Sequence, residues 1–197
     1  MDLNEEISQL IGSRICHDLV SPIGAIGNGL ELMQMTAPKT APELELVQES
    51  LNSVNARIRF FRLAFGKASA AQIIGTIEVR SLLGDLGRGE RITYHWLGPD
   101  SAPRTEVQAV CLALMCLETT LPLGGDISIT QDCGRWTLTA KGRRISWDGR
   151  TWDSLVLGTK DGLSPKDVQF ALLPKALAKM QRTPVVSASQ DCASLTF

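Results

Sequence analysis

The 197-residue chain has little with which to bind metal or polyanions. It holds only two histidines and five cysteines. The cysteines stand singly at 16, 111, 116, 133 and 192 with no CxxC pair. A zinc site draws on ligands at short intervals, so none is expected, and the cysteines read as reduced and mostly buried small hydrophobes. Twenty Lys and Arg balance 21 Asp and Glu for a net charge of −1, and no basic run stands out. That excludes nucleic acid and anionic membrane as partners, because both demand a basic footprint. No window approaches the roughly 18 apolar residues of a membrane span, and the first residues form an acidic, amphipathic stretch with no basic segment before an apolar core. The expected compartment is the cytoplasm. The length allows one large domain or two small ones.

What the chain does have is one histidine in an informative setting. At about 100° per residue, a helix over residues 4–35 places Ile15, Leu19, Ile23, Ile26, Leu30 and Met33 on one broad apolar face. His17 points away from that face and should be wet. Ser21, Gly24 and Asn28 follow it at helical steps, with Ala25 beside them, giving a small or polar strip that another protein can approach closely. A lone helical histidine is ordinarily a surface or capping residue. Here an acidic residue follows at once, a hydroxyl comes at the fourth position and a proline at the fifth. Pro22 lacks an N–H and crowds the carbonyl of Asp18, at a cost of roughly 3 kcal/mol in a helix interior.

Thr36 to Pro42 holds two prolines and no apolar pattern, and ends the first helix. Leu44, Val47, Leu51, Val54, Ile58, Phe61 and Phe65 then recur at steps of three and four, the seam of a coiled coil or four-helix bundle, with Gly66 placed to terminate it. Two helices with wide apolar faces cannot hide both against each other. Either a second copy completes a four-helix bundle across a two-fold axis, or the rest of the chain covers the hairpin.

From residue 75 onward helices and strands mix. Ile77–Leu86 reads as a short helix and Arg91–Trp96 as a strand in which His95 is plain strand material. Arg104–Leu121 reads as a helix with apolar Val107, Val110, Cys111, Leu114 and Leu117. Asp126–Gln131 and Arg135–Ala140 alternate as a hairpin turning at Asp132-Cys133-Gly134, and a helix over about Ser164–Gln181 has Pro165 at its first position. Strands near Val185–Ser189 and Ala193–Phe197 close the chain. The expected class is α+β: an antiparallel helical hairpin over residues 1–70, forming the dimeric four-helix bundle, and a two-layer α/β sandwich over residues 71–197.

The run His17-Asp18-Leu19-Val20-Ser21-Pro22-Ile23 resembles the phosphoacceptor box of sensor histidine kinases, which reads His, acidic, Leu or Met, variable, Thr or Asn, Pro, Leu or Ile. It departs at Val20, where a basic residue is common, and at Ser21. Helix pair followed by α/β sandwich is similar to the order of a sensor kinase core, so ATP-binding boxes are to be sought in the second unit. The helix from Gln108 to Leu121-Pro122-Leu123-Gly124-Gly125 resembles the kinase helix that carries the Asn box. Counting back from the paired glycines, the Mg²⁺-binding Asn falls at Cys116 and its companion at Leu112, and neither offers the oxygen that Mg²⁺ requires. The adenine loop is replaced by Ala140-Lys141-Gly142-Arg143-Arg144. Asp85-Leu86-Gly87-Arg88-Gly89 fits the Asp-x-Gly-x-Gly pattern but precedes the helix, and reads as the turn ending a short helix.

A histidine box without a kinase site resembles the bacterial histidine phosphotransferases of the ChpT type. Arg59-Phe60-Phe61-Arg62-Leu63-Ala64-Phe65-Gly66 and Leu163-Ser164-Pro165-Lys166-Asp167-Val168-Gln169 add to that likeness. The resemblance implies phosphoryl relay through His17 between receiver-domain aspartates, of a hybrid histidine kinase and of response regulators, by a homodimer. It implies Mg²⁺ at the receiver and no ATP or other cofactor here. Asp18 is expected to orient the imidazole, with Ser21 beside it. Counted across a loop centred near residue 39, His17 lies level with about residue 60, which makes Arg59 and Arg62 candidates for phosphate or partner contact, or else a solvated face, and leaves Arg57 farther down. Gly24, Ala25 and Asn28 are expected at the docking surface. The rival readings are a non-catalytic dimeric adaptor or kinase inhibitor, and an active ATP-dependent histidine kinase.

Overall fold

The computed structural model describes residues 3–35, 41–157 and 164–197. Helix α1 (Leu3–Met35) carries Pro22 in its interior, and α2 (Ala41–Ala64) packs along it as a hairpin. Most of the expected Thr36–Pro42 loop lies outside the described residues, and its last two, Ala41 and Pro42, open α2. The apolar faces meet different fates along their length. At the base, Phe60, Phe61, Leu63 and Ala64 are buried and join the core of the second unit, with Ile15 and Phe65 packed against it. Towards the tip, Leu30, Leu44 and Leu51 stay 47%, 49% and 43% exposed. The rest of the chain thus covers the hairpin's base and leaves its outer part bare.

The second unit follows as β1 (Ile73–Gly75), α3 (Thr76–Gly87), β2 (Ile92–Leu97), β3 (Ser101–Pro103), α4 (Arg104–Glu118), β4 (Gly125–Asp132), β5 (Arg135–Lys141), α5 (Gly149–Leu157), a 3₁₀ turn (Pro165–Asp167), α6 (Val168–Lys179), β6 (Val185–Ala188) and β7 (Cys192–Thr196). Five strands form one sheet in the order β2-β4-β5-β7-β6. β2 and β4 run parallel, joined through α4, and the remaining pairs are antiparallel. β1 and β3 form a separate antiparallel pair. Asp85 and Gly87, of the Asp-x-Gly-x-Gly match, lie at the end of α3.

Burial explains the arrangement. Val107 and every residue from Ala109 to Leu117 are buried, so α4 is apolar almost all round, as a helix enclosed on every side must be. α4 packs on α6 and on β5 and β7. The strands alternate as half-buried strands do, sending Ile127, Ile129, Trp136, Leu138, Ala193 and Leu195 inward. Cys133 and Gly134 take φ of 48° and 76°, the left-handed pair that a two-residue hairpin turn requires. Gly124 has φ of +83°, and a Cβ there would collide with the Arg91 carbonyl. This close approach brings β4 alongside β2.

Two polar residues of α4, Gln108 and Arg104, tie the two units together. The last carbonyls of a helix have no partner within it. Gln108 Nε2 donates to the carbonyls of Ala64 and Gly66 at 3.1 and 2.7 Å. Arg104 adds bonds to the carbonyls of Arg62 at 2.8 Å and Lys67 at 3.1 Å, and a cation at a helix C-terminus is favoured by the dipole. The base of the hairpin is therefore capped by the helix it packs on.

The sequence did not lead us to expect β1, β3 or α5, and the final helix begins as a 3₁₀ turn. Among the described cysteines, Cys111 and Cys116 are buried, Cys192 is half-buried and Cys133 is exposed at its turn. No described helix is long and apolar enough to cross a membrane.

Candidate functional site

His17 is on the exposed side of α1, with 61% of its side chain accessible. Its Nδ1 lies 3.0 Å from Asp18 Oδ1. Side chains at i and i+1 do not face each other across an ideal helix, but the short carboxylate turns back toward the ring. An acceptor facing Nδ1 favours the neutral tautomer that carries its proton there, which leaves the lone pair on Nε2. The second oxygen, Asp18 Oδ2, accepts from Arg14 Nε at 2.7 Å.

An open groove runs beside His17, lined by Asp18, Ser21, Pro22 and Ala25 of α1, by Glu49, Ser50, Ser53 and Arg57 of α2, and by Arg88, Gly89 and Glu90 beyond α3. Ser21 and Ala25 thus share the groove with His17. Gly24 and Asn28 are exposed but do not line it.

Arg59 and Arg62 are placed elsewhere. They line a separate depression with Leu63, Glu78, Leu82 and Arg104, and Arg59 pairs with Asp85 at 2.6 Å. The basic residue of α2 in the groove is Arg57, about one helical turn before the expected level. At residues 60 and 61 α2 already turns its side chains into the core. Arg57 bonds Glu90 Oε1 at 2.6 Å, and Arg88 is 70% exposed at the rim. Sequence reasoning missed Arg14, Arg88 and Glu90. The Arg14–Asp18 spacing of four, which aligns opposite charges on a helix, was the available signal for the first.

Behind Asp18 a second cavity separates the hairpin from the sheet unit, bordered by Arg14, Arg57, Phe60, Tyr94 and Glu118 among others. Tyr94 donates to Glu118 Oε1 at 2.8 Å. Burial raises the Glu118 carboxyl above its ordinary range, while the Tyr94 bond and the charges of Arg14 and Arg57 pull the other way. Burial, then the Glu118 charge, lifts the Tyr94 phenol far above its ordinary value. His95 is an exposed strand residue whose Nε2 lies 2.8 Å from Asp126.

Cys116 and Leu112, at the positions that correspond by resemblance to metal-binding residues, are buried in the core. Burial pushes the Cys116 thiol well above its ordinary value. Among the described residues no cluster of His, Cys, Asp or Glu could hold a metal ion.

Residues 76–191 match the histidine phosphotransferase C-terminal domain family. The chain is 31% identical over 146 residues to the protein phosphotransferase ChpT of Brucella abortus (strain 2308), covering 71% of this chain and 69% of that protein. A solved structure described as a bacterial phosphotransferase superposes with a TM-score of 0.81 at 25% identity, over 97% of this chain and 95% of that one. A family match over more than half of the chain, with a relative alike across most of both lengths, assigns it: this chain belongs to the histidine phosphotransferase family.

Proposed function

We propose that the chain relays phosphoryl groups between receiver-domain aspartates of a two-component phosphorelay through Nε2 of His17. The observation that carries this reading is the exposed imidazole, with Nδ1 turned to Asp18 and Nε2 without a hydrogen-bond partner among the described residues, in a member of this family. Nε2 attacks the phosphorus of a receiver's aspartyl phosphate; the P–N bond forms, the P–O bond to the aspartyl carboxylate breaks, and that carboxylate leaves. The Nδ1 proton stays on the ring, and the cationic phosphoimidazole is held against the Asp18 carboxylate by a charge-assisted hydrogen bond. In the second half the recipient aspartate attacks, the P–N bond breaks, and neutral imidazole leaves. The receiver brings its own Mg²⁺.

Docking is assigned to the groove, where Ser21 and Ala25 allow close approach and Arg57 and Arg88 offer positive charge, with Gly24 and Asn28 on the adjoining surface. Arg59 and Arg62, bordering another depression, serve as peripheral contacts at most. Residues 1–70 act as the dimerisation and phosphotransfer unit and residues 71–197 as a degenerate ATPase-like unit. The exposed leucines at the hairpin's tip support pairing with a second copy into a four-helix bundle. The buried Cys116 and Leu112 support transfer without ATP. A cytoplasmic location fits both the reading and the partners, the receivers of a hybrid kinase and of response regulators. Family membership favours transfer over the adaptor and ATP-dependent kinase readings.

The test is incubation of the protein with a radiolabelled phosphorylated receiver domain, beside His17→Ala and beside Mg-ATP alone. Acid-labile label on the wild type only, never arriving from ATP, is expected. Labelling from Mg-ATP would restore the kinase, and no labelling from any of several receivers would favour the adaptor.

A further inference from the structure

Asp18 serves two neighbours, and one of them reaches outside the hairpin. Arg14 donates Nε to Asp18 Oδ2 at 2.7 Å and Nη1 to the carbonyl of Lys166, also at 2.7 Å. Lys166 lies in the 3₁₀ turn that opens α6. That turn is closed by the Ser164 hydroxyl donating to Asp167 Oδ2 at 2.6 Å and by the Asp167 N–H donating to the Ser164 carbonyl at 2.9 Å. The Arg14 and Asp18 side chains are only 15% and 11% exposed, against 61% for His17. A continuous line of contacts therefore runs from the C-terminal unit to the imidazole.

We infer that Arg14 is a positioning residue for phosphotransfer, by which the Lys166 carbonyl of the C-terminal unit holds Asp18 and so sets the tautomer of His17. The inference rests on His17 being the phosphoacceptor. A neutral imidazole carries its proton on either nitrogen, and the partner of one nitrogen decides which. Asp18 biases the ring toward Nδ1–H only while its own carboxylate is held in one rotamer. An exposed i,i+4 ion pair alone does this weakly. A guanidinium is a rigid planar fork, so anchoring one arm to a backbone carbonyl of another element fixes the other arm on Asp18. Arg14 touches no reacting atom and acts only through Asp18. The C-terminal unit thereby gains a part in the transfer that needs no nucleotide.

The test uses the full chain labelled with ¹⁵N-histidine, with His17→Ala assigning the two rings, and compares wild type, Arg14→Met and Arg14→Lys. Ring nitrogen shifts report the tautomer of His17, and transfer from a phosphorylated receiver is timed on the same samples. Nδ1–H is expected to dominate in the wild type. Arg14→Met should shift the ring toward Nε2–H and slow transfer at saturating receiver about tenfold, with the half-saturating receiver concentration unchanged. Arg14→Lys, which keeps the charge without the fork, should fall between. Combined with Asp18→Asn, Arg14→Met should add no further loss. Should Arg14→Met fail to fold, Asp167→Ala, which loosens the turn presenting the Lys166 carbonyl, is expected to move tautomer and rate the same way to a lesser degree. A wild-type tautomer ratio in Arg14→Met, or a rate loss that multiplies with that of Asp18→Asn, would overturn the inference. A tautomer shift in a protein whose wild type accepts no phosphoryl group would leave the positioning intact and overturn the functional reading instead.

Discussion

Arg57 Nη2 donates to Glu90 Oε1 at 2.6 Å, joining α2 to the turn beyond α3 within the groove that holds His17. The pair keeps a guanidinium in the groove of His17 without closing the groove over it.

Arg57→Ala is therefore expected to raise the receiver concentration giving half-maximal transfer about tenfold, equivalent to about 1.4 kcal/mol of lost contact. Arg59→Ala and Arg62→Ala, which border a different depression, should each change it less than about twofold. Transfer rates measured over a range of phosphorylated receiver concentrations check the contrast.

Asp18→Asn keeps the shape of the side chain and removes its charge. Rates should fall about 10²-fold, the order seen when one fixed electrostatic partner of the charge that forms on the reacting group is removed, while the melting temperature shifts little. Single-turnover transfer kinetics beside a thermal melt separate the two effects.

Glu118 sets a pH dependence of stability. Its carboxyl is raised in the folded chain by burial, so the folded state binds the proton more tightly than the unfolded state. The stability it contributes is fully present below the ordinary carboxylate value of 4.5 and is lost as pH rises through the elevated folded value. The groups facing it are Tyr94 of β2, Arg14 and Asp18 of α1 and Arg57 of α2. Glu118→Gln can still accept from Tyr94. It should melt higher than the wild type at pH 7, with that advantage shrinking toward pH 4 in denaturation curves taken across the range.

Leu51→Glu places a charge at an exposed apolar position midway along α2. Under the proposed pairing of two copies, light scattering should show the variant as a smaller species than the wild type, with helical content by circular dichroism retained, because the side chain is already exposed within the single chain.

Trp136 is fully buried and its Nε1 donates to Glu106 Oε2 at 2.7 Å. Trp136→Ala is expected to cost about 3–5 kcal/mol and Trp136→Phe less, the latter leaving Glu106 still bonded by Gln131 and Arg182. Chemical denaturation would give both values.

How far these residues announce the fold depends on how local each signal is. The α4 run from Val107 to Leu117 and the turn at Cys133-Gly134 follow from short-range pattern and turn chemistry, and both were legible. The parallel pairing of β2 with β4 was not, because alternation marks a strand without naming its neighbour. β1 and β3 are three residues each, too short to show a period, and α5 buries only Trp152, Ser154 and Leu155 among its described side chains. His17 and Asp18 could be singled out from adjacent residues alone. The Arg57 neighbourhood required the true register of the hairpin, which a count across the loop missed by about a turn. Lys166, 152 positions from Arg14, lay beyond any spacing rule.

Helix α2 runs from a bare tip to a base inside the common core, and its backbone protons should record that gradient. In single chains the amides near Leu44 and Leu51 can exchange with solvent through local fraying. Those from Phe60 to Ala64 should exchange only when the sheet itself comes apart. Pairing of two copies would then slow exchange at the tip and leave the base unchanged, so that one continuous helix reports both assembly and global unfolding at its two ends.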